Sequence, residues 1–264
     1  MNRYVTLLLL AWVSVVGGCM HHTEVRVPLP TQTKSQTVAL VETIEGHVQV
    51  GCTGVWVNED TILTARHCIE GSAKLHWLLK IEDPVDRFIA MLTHQVPEFE
   101  DKQLVGENAY YIVESEVTNV GENPKTTHAG KVIAVSKEKD LAIIKTVGPH
   151  PVHLSAAIVT SVPETGADVV VVGHTRGLYY TYMKGTVSNV RQSLSDEEEI
   201  LGPYVQIIAP IWYGNSGGGA FTTSGDLIGI ASFMVEAPNQ GFFIHPETIR
   251  KFLEASKITY KVSR

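Results

Sequence analysis

The chain has 264 residues, enough for one large domain with a sizeable core, and 44% of them are hydrophobic. Its 21 basic and 28 acidic residues give a formal net charge of −7 with no long basic block, which excludes nucleic acid as the main partner. Three cysteines with no Cys-x-x-Cys pair, and no His-Glu-x-x-His stretch, give no metal-ligand spacing.

The first element is "MNRYVTLLLLAWVSVVGGC": Arg3, an apolar run from Val5 to Val16, then small residues before Cys19. This is the pattern of a secretory signal. As a helix the apolar run would reach only about 18 Å, short of a hydrocarbon core of about 30 Å. "VGGC" resembles the bacterial lipobox, which implies that residues 1–18 are removed and that Cys19 carries lipid; the alternative is an ordinary signal with a chance cysteine. Met20 after that cysteine, rather than aspartate, resembles outer-membrane sorting, so the expected location is the bacterial cell envelope, at the periplasmic face of the outer membrane. With Cys19 lipidated, Cys52 and Cys68 are left to pair in an oxidising compartment.

Residues 19–37 contain "MHHTEVRVPLPTQTKSQT", polar, with two prolines and no sustained periodicity, and are expected to be a tether of roughly 20–25 Å. His21 and His22 there, and His150 and His153 in "HPVH", are expected to be solvated loop residues. The domain is expected over 38–264. Short β-rich runs follow one another: "HVQVGCTGVWV", "TILTA", "AKLHWLLKI", "RFIAMLTHQV", "AYYIVESEV", "KVIAVS", "LAIIKT", "DVVVVG", "YYTYMKGTVSNV", "YVQIIA" and "DLIGIASFMV". Many short strands separated by Gly, Pro, Asn and Asp indicate an antiparallel all-β barrel or sandwich. One helix stands out in "HPETIRKFLEAS", where Ile249, Phe252 and Leu253 fall on one face after a proline.

"WYGNSGGG", around Ser216, is either a tight turn or a nucleophile loop whose bare backbone lets N–H groups converge on a substrate carbonyl. A serine nucleophile needs a base, and the base an orienting acid. Of the 11 histidines, His67 stands in "ILTARHCIEGS", directly after an apolar strand. "TARHC", with a second cysteine upstream at Cys52, resembles the histidine motif and adjoining disulfide of chymotrypsin-like proteases. "KDLAIIK" places Asp140 just before a strand and resembles the Asp-Leu-Ala stretch of the high-temperature-requirement (HtrA) serine proteases; Asp83, Asp86 and Asp101 are the competing carboxylates. The order His67, Asp140, Ser216 is that of the chymotrypsin clan. "VVGHTRGLYYTYMKGTVSNV", "GNSGGGAFTTSGDLIGIASF" and "GFFIHPETI" are further similar segments, so the resemblance runs from His47 to Leu253.

What the resemblance implies is two six-stranded antiparallel β-barrels with a C-terminal helix and the site in the cleft between them. It implies a serine endopeptidase acting on polypeptides through an acyl-enzyme, with no metal or organic cofactor and with the Gly214 and Ser216 N–H groups as oxyanion donors. A non-catalytic lipoprotein binding module and an esterase are the alternatives. The long interval between His67 and Asp140 implies an inserted hairpin or loop within Asp83–Glu122. Asn215 stands where digestive relatives have an aspartate that pairs with a new N-terminus, and the resemblance ends without a PDZ domain; neither activation by N-terminal cleavage nor ligand-gated oligomerisation is therefore implied. By position in the clan, Pro210 would lie at the base of the primary pocket. Ser232 and Phe233, in "ASFM", would lie along the substrate backbone, and Phe242 or Phe243 at the pocket wall. The expected pocket is shallow and apolar and takes small or medium aliphatic residues.

Overall fold

The computed structural model describes residues 27–44, 47–93, 95–113, 127–150, 152–192, 202–235 and 239–263. Cys19, His21, His22 and the signal lie outside them. Six strands close the first barrel: β1 (Thr37–Ile44), β2 (His47–Trp56), β3 (Thr61–Ala65), β4 (Asn108–Ile112), β5 (His128–Ser136) and β6 (Leu141–Val147), in the order β1-β2-β3-β6-β5-β4. A second barrel is made by β8 (Asp168–Gly173), β9 (Thr181–Arg191), β10 (Tyr204–Ile208), β11 (Gly219–Thr222), β12 (Leu227–Val235) and β13 (Gln240–Ile244). It runs β11-β8-β9-β10-β13-β12 and closes through β11–β12. Two short strands extend this sheet in parallel: β7 (Ala157–Ile158) pairs with β12, and β14 (Lys261–Val262) with β7.

Period-two alternation explains the joining of the barrels. In β6, Ala142 and Ile144 fill the first barrel, while Leu141 and Ile143 face outward. Those two meet Val170, Val172 and Phe221 of the second barrel in one shared cluster, so β6 is apolar on both faces. Helix α5 (Pro246–Ala255) begins at Pro246, accepts its N-cap bond at His245 Nδ1 from Glu247 N–H (3.2 Å), and adds Ile249, Phe252 and Leu253 to the same cluster.

The structure corrects the sequence reading in three places. "AKLHWLLKI" and "RFIAMLTHQV" contribute to helices α2 (Arg66–Leu79) and α3 (Pro84–Leu92), and α4 (Asp101–Leu104) follows; within Asp83–Glu122 the described residues thus hold two helices joined by a loop, and then β4, where a hairpin or loop was expected. No β-branched residue occurs from Gly71 to Lys80, and Asp83 before Pro84 caps α3, accepting from the Val85 and Asp86 N–H groups at 2.7 and 3.1 Å. The expected tether ends early. Helix α1 (Leu29–Ser35) buries Thr33, and the Gln36 carbonyl accepts from Trp56 N–H at 2.9 Å. His153 is stacked on Trp56 at 3.7 Å rather than solvated. Among the described residues no helix is long and apolar enough to cross a membrane.

Candidate active site

β3 delivers His67 to the first turn of α2, where main-chain N–H groups have no partner within the helix. The antiparallel register Ala65↔Leu141 then sets Asp140 beside that turn. Asp140 adopts a left-handed conformation (φ 49°), which aspartate tolerates better than most residues. Its main-chain carbonyl accepts from Arg66 N–H at 3.0 Å and its Oδ1 from His67 N–H at 3.0 Å, so the residue caps α2. The same carboxylate meets His67 Nδ1 at 2.9 Å through Oδ2 and 3.1 Å through Oδ1. The acid is thereby locked to the histidine by ring and by main chain. The Asp140 side chain is 5% exposed and that of His67 44%, so the acid is dry and the imidazole open.

β12 provides a further donor. Ala231 pairs with Phe243 and Phe233 with Phe242, which leaves Ser232 as the extra residue of a bulge; bulges re-aim side chains. Ser232 Oγ donates to Asp140 Oδ2 at 2.6 Å. The carboxylates that competed for the role are placed elsewhere: Asp83 caps α3, and Asp101 accepts from Arg66 Nε at 2.8 Å and from Lys137 N–H at 3.0 Å.

The loop carrying Ser216 is tied down at nearly every residue. Tyr213 O accepts from Arg176 N–H (2.9 Å), Asn215 N–H donates to Trp212 O (3.2 Å), and Asn215 O accepts from Gly218 N–H (2.8 Å). Gly217 N–H donates to Ala231 O and Ser216 O accepts from Thr53 N–H, both at 2.8 Å. Gly214 (φ 93°) and Gly217 (φ 79°) require glycine. A Cβ on the first would strike the His174 carbonyl, and on the second the Thr53 carbonyl and the Thr64 hydroxyl. Among the described residues, no hydrogen bond uses the Gly214 N–H, the Ser216 N–H or the Ser216 hydroxyl. The Asn215 amide is buried and satisfied locally: Nδ2 donates to Trp212 O at 3.0 Å and Oδ1 accepts from Thr175 Oγ1 at 3.1 Å.

Cys52 and Cys68 form a disulfide beside His67, with Cα atoms 6.0 Å apart, and the Ser216 carbonyl oxygen lies 3.7 Å from Cys68 Sγ. The two sulfurs lie near His67 in a metal-like cluster, but each is bonded to the other and neither is a thiolate ligand. A cavity of about 260 Å³ opens beside the imidazole. Leu40, Glu42, Cys52, Ile69, Ala73 and Tyr110 are among its walls, all from the first barrel and the insert. Glu42 is shifted above the ordinary carboxylate range, chiefly by burial, against the lowering effects of Ser72 and His76.

The expected pocket residues separate. Pro210 is exposed and Phe233 half-buried, stacked on Phe242 at 4.8 Å. Phe243 is fully buried inside the second barrel and Phe242 nearly so against the shared cluster, so neither is a pocket wall. Ser232 turns towards Asp140. The sequence reading passed over Thr53 and His174, which meet under the nucleophile loop: Thr53 Oγ1 is 2.7 Å from Gly214 O and 3.0 Å from His174 Nδ1. The only sequence signal for Thr53 was its place directly after the disulfide cysteine.

Paired barrels with a histidine, a buried aspartate and a serine loop at their junction are the architecture of chymotrypsin-like proteins. A family model for the trypsin-like peptidase domain matches residues 52–230, and the chain belongs to that family. It is 32% identical over 161 residues to serine protease HTRA1 of Xenopus tropicalis, covering 58% of this chain and 34% of that protein. It is also 32% identical over 102 residues to a probable periplasmic DegP-like serine endoprotease of Pseudomonas fluorescens, covering 39% of this chain and 21% of that protein. The chain thus spans about a third or less of the length of these relatives. Among solved structures, the Rv3671c protease of M. tuberculosis in its active form superposes with a TM-score of 0.63 at 18% identity, over 89% of this chain and 87% of that one. A variant of the HtrA-type protease AlgW with a tripeptide gives 0.61 at 15% identity, over 86% and 62%. At these identities the two structures bear on the fold alone.

Proposed function

We propose that this protein is a serine endopeptidase in which Ser216, His67 and Asp140 act as nucleophile, general base and orienting acid. The observation that carries the reading is the buried Asp140 carboxylate on His67 Nδ1, because it leaves Nε2 as the basic nitrogen on the exposed side of the ring. Ser216 Oγ attacks the peptide carbonyl and its proton passes to His67 Nε2. The imidazolium that forms is stabilised by Asp140. Charge on the carbonyl oxygen is met by the Gly214 and Ser216 N–H groups, a preorganised contribution often worth about 3 kcal/mol per donor. His67 then gives the proton to the leaving amine, the C–N bond breaks, and an acyl ester on Ser216 remains. Water deprotonated by His67 hydrolyses that ester and regenerates the serine.

The leaving-group side lies next to the imidazole that protonates it, which matches the cavity between α2 and the first barrel. The acyl side lies along β12. The position six residues before Ser216 holds Pro210 and not a carboxylate, which supports a small or aliphatic residue before the cut rather than Lys or Arg. For location, we propose lipid attachment at Cys19 and an exported, envelope-anchored enzyme, from the lipobox-like "VGGC"; mass analysis of the mature N-terminus finding an unmodified Cys19 would remove it. The activity is tested with a fluorophosphonate probe, expected to label Ser216 in the native protein and nothing in Ser216→Ala. Turnover of peptides as well as simple esters separates an endopeptidase from an esterase, and absence of labelling in folded protein would leave only a binding module.

A further inference from the structure

Thr53 belongs to β2 of the first barrel yet holds the serine loop of the second at two points. Its N–H donates to Ser216 O at 2.8 Å and its hydroxyl lies 2.7 Å from Gly214 O. The same hydroxyl oxygen is 3.2 Å from the His174 main-chain nitrogen and 3.0 Å from His174 Nδ1. A hydroxyl has one proton to give and two lone pairs to offer. Gly214 O only accepts and the His174 N–H only donates, so the Thr53 proton goes to Gly214 O. Both lone pairs then face His174 donors, which requires the ring to carry its proton on Nδ1. The remaining nitrogen, Nε2, is buried without a hydrogen-bond partner among the described residues. The rings of Tyr179 and Tyr180 cross the imidazole at 83° and 70°, with centroids 5.7 and 4.7 Å away.

This arrangement acts on the part of the loop that has most freedom. Gly214 is a glycine at φ 93°, able by itself to turn the peptide that follows it. That peptide is fixed at both ends, its oxygen by Thr53 and its N–H by Trp212 O at 3.2 Å. Loss of the Thr53 hydroxyl would leave the Gly214 carbonyl half-held and free to rotate about the same residue whose N–H faces the reaction. We infer that Thr53, its hydroxyl oriented by the Nδ1–H form of His174, is a positioning residue that keeps the Gly214–Ser216 main chain in its oxyanion-binding arrangement. This rests on the endopeptidase reading, and it assigns to the first barrel a direct hold on the charge-stabilising loop of the second.

Two independent measurements test it. In steady-state kinetics on a peptide substrate, Thr53→Val should lower kcat roughly 10- to 100-fold, less than the direct loss of an oxyanion donor, with KM nearly unchanged. Thr53→Ser should restore it. His174→Leu should lower kcat in the same direction, and His174→Asn, which keeps a donor near the Nδ1 position, should stay within about fivefold of the native enzyme. A clip with only a structural role would lower the melting temperature while leaving kcat per folded molecule intact; that result, or failure of Thr53→Ser to restore activity, overturns the inference. Nitrogen-15 NMR of the native protein should show His174 protonated on Nδ1 with Nε2 bare, and a resonance pattern for the Nε2–H form overturns it without reference to activity. Failure of the endopeptidase reading is seen separately, as native protein whose Ser216 does not react with the fluorophosphonate.

Discussion

The nucleophile loop and the helical insert both adjoin His67, and they are built by different means. Residues 212–219 are held almost wholly by main-chain hydrogen bonds, to Arg176, Ala231 and Thr53, and through the turn within the loop itself. The segment from Arg66 to Glu107 is joined to the barrel by main-chain bonds at its two ends, Arg66 N–H to Asp140 O (3.0 Å), Gly106 N–H to Val132 O (2.8 Å) and Val132 N–H to Glu107 O (3.0 Å), and between them its side chains converge on one buried guanidinium. Arg66 pairs with Asp101 at 2.8 Å and Glu70 at 2.5 Å and donates to Phe99 O at 2.5 Å, while Asp101 also takes the Lys137 N–H. Burial acts to raise the Glu70 pKa, but Lys74 and Arg66 outweigh it and hold that carboxyl below its ordinary range. Main-chain hydrogen bonds fix most of the N–H directions, with the Thr53 hydroxyl and the Asn215 amide completing the hold, which suits a loop whose proposed chemistry is done by N–H groups. Side-chain anchoring fixes only where a segment sits, and so tolerates variation along it.

The strongest contrast is in activity. Ser216→Ala should lower kcat by roughly 10⁶-fold and Asp140→Asn by roughly 10⁴-fold, the latter through the wrong histidine tautomer. Steady-state kinetics with thermal unfolding as a control checks both, and near-normal turnover in Asp140→Asn would show that another carboxylate serves His67. Next in size is a pair of glycine substitutions. Gly217→Ala places a Cβ against the Thr53 carbonyl at φ 79° and should cost at least about 2 kcal/mol of unfolding free energy in urea. Gly71→Ala, inside α2 with open space around it, should instead stabilise by about 0.5–1 kcal/mol.

A pH titration of stability probes the ground under the loop. Complete burial pushes the His174 pKa from 6.5 down to about 3. The unfolded chain therefore binds a proton between pH 6.5 and about 3 that the folded chain does not, so stability is full above 6.5 and falls as the pH drops through that window. The limiting slope for one such group is about 1.4 kcal/mol per pH unit. His174→Asn should flatten the curve by most of that slope. A remainder is expected from His153 and His245, both also shifted down by burial, and a curve unchanged by the substitution would mean that His174 is already charged or wetted in the native state.

The loop and its partners were largely legible in the sequence because chemistry constrains their residue types: a serine among glycines, a histidine at the end of an apolar strand, an aspartate before another. The Cys52–Cys68 pair was legible for a similar reason, since one of the three cysteines had another expected fate. What was not legible depends on tertiary context. Thr53 and Ser232 are ordinary strand residues, and only a barrel junction and a bulge reveal that their hydroxyls reach Gly214 O and Asp140. The clan position that suggests Phe242 or Phe243 as a pocket wall says nothing of burial, and β13 is buried on both faces, which puts both rings in the core. The insert was read as strands from apolar content alone, although Asp83-Pro84 was a helix-start signal and the run before it lacked β-branched residues.

The smallest expected effect lies at the far side of the insert. In α3 the side chains of Val85, Phe88, Ile89 and Leu92 recur at helical spacing, yet Phe88 is 54% and Leu92 59% exposed; of the whole helix only Ala90 is buried. Such a face contributes little to folding, because apolar area that stays in water gains nothing by the hydrophobic effect. Phe88→Ser and Leu92→Ser should each change unfolding free energy by less than about 0.5 kcal/mol and leave kcat and KM untouched. Core positions of the same chemistry behave otherwise: Leu141→Ala, between the barrels, should cost about 2–5 kcal/mol. Urea denaturation of the three variants side by side makes the comparison, and a loss above about 1 kcal/mol at Phe88 or Leu92 would mean that this face is covered in the native protein, placing the insert with the core rather than at its edge.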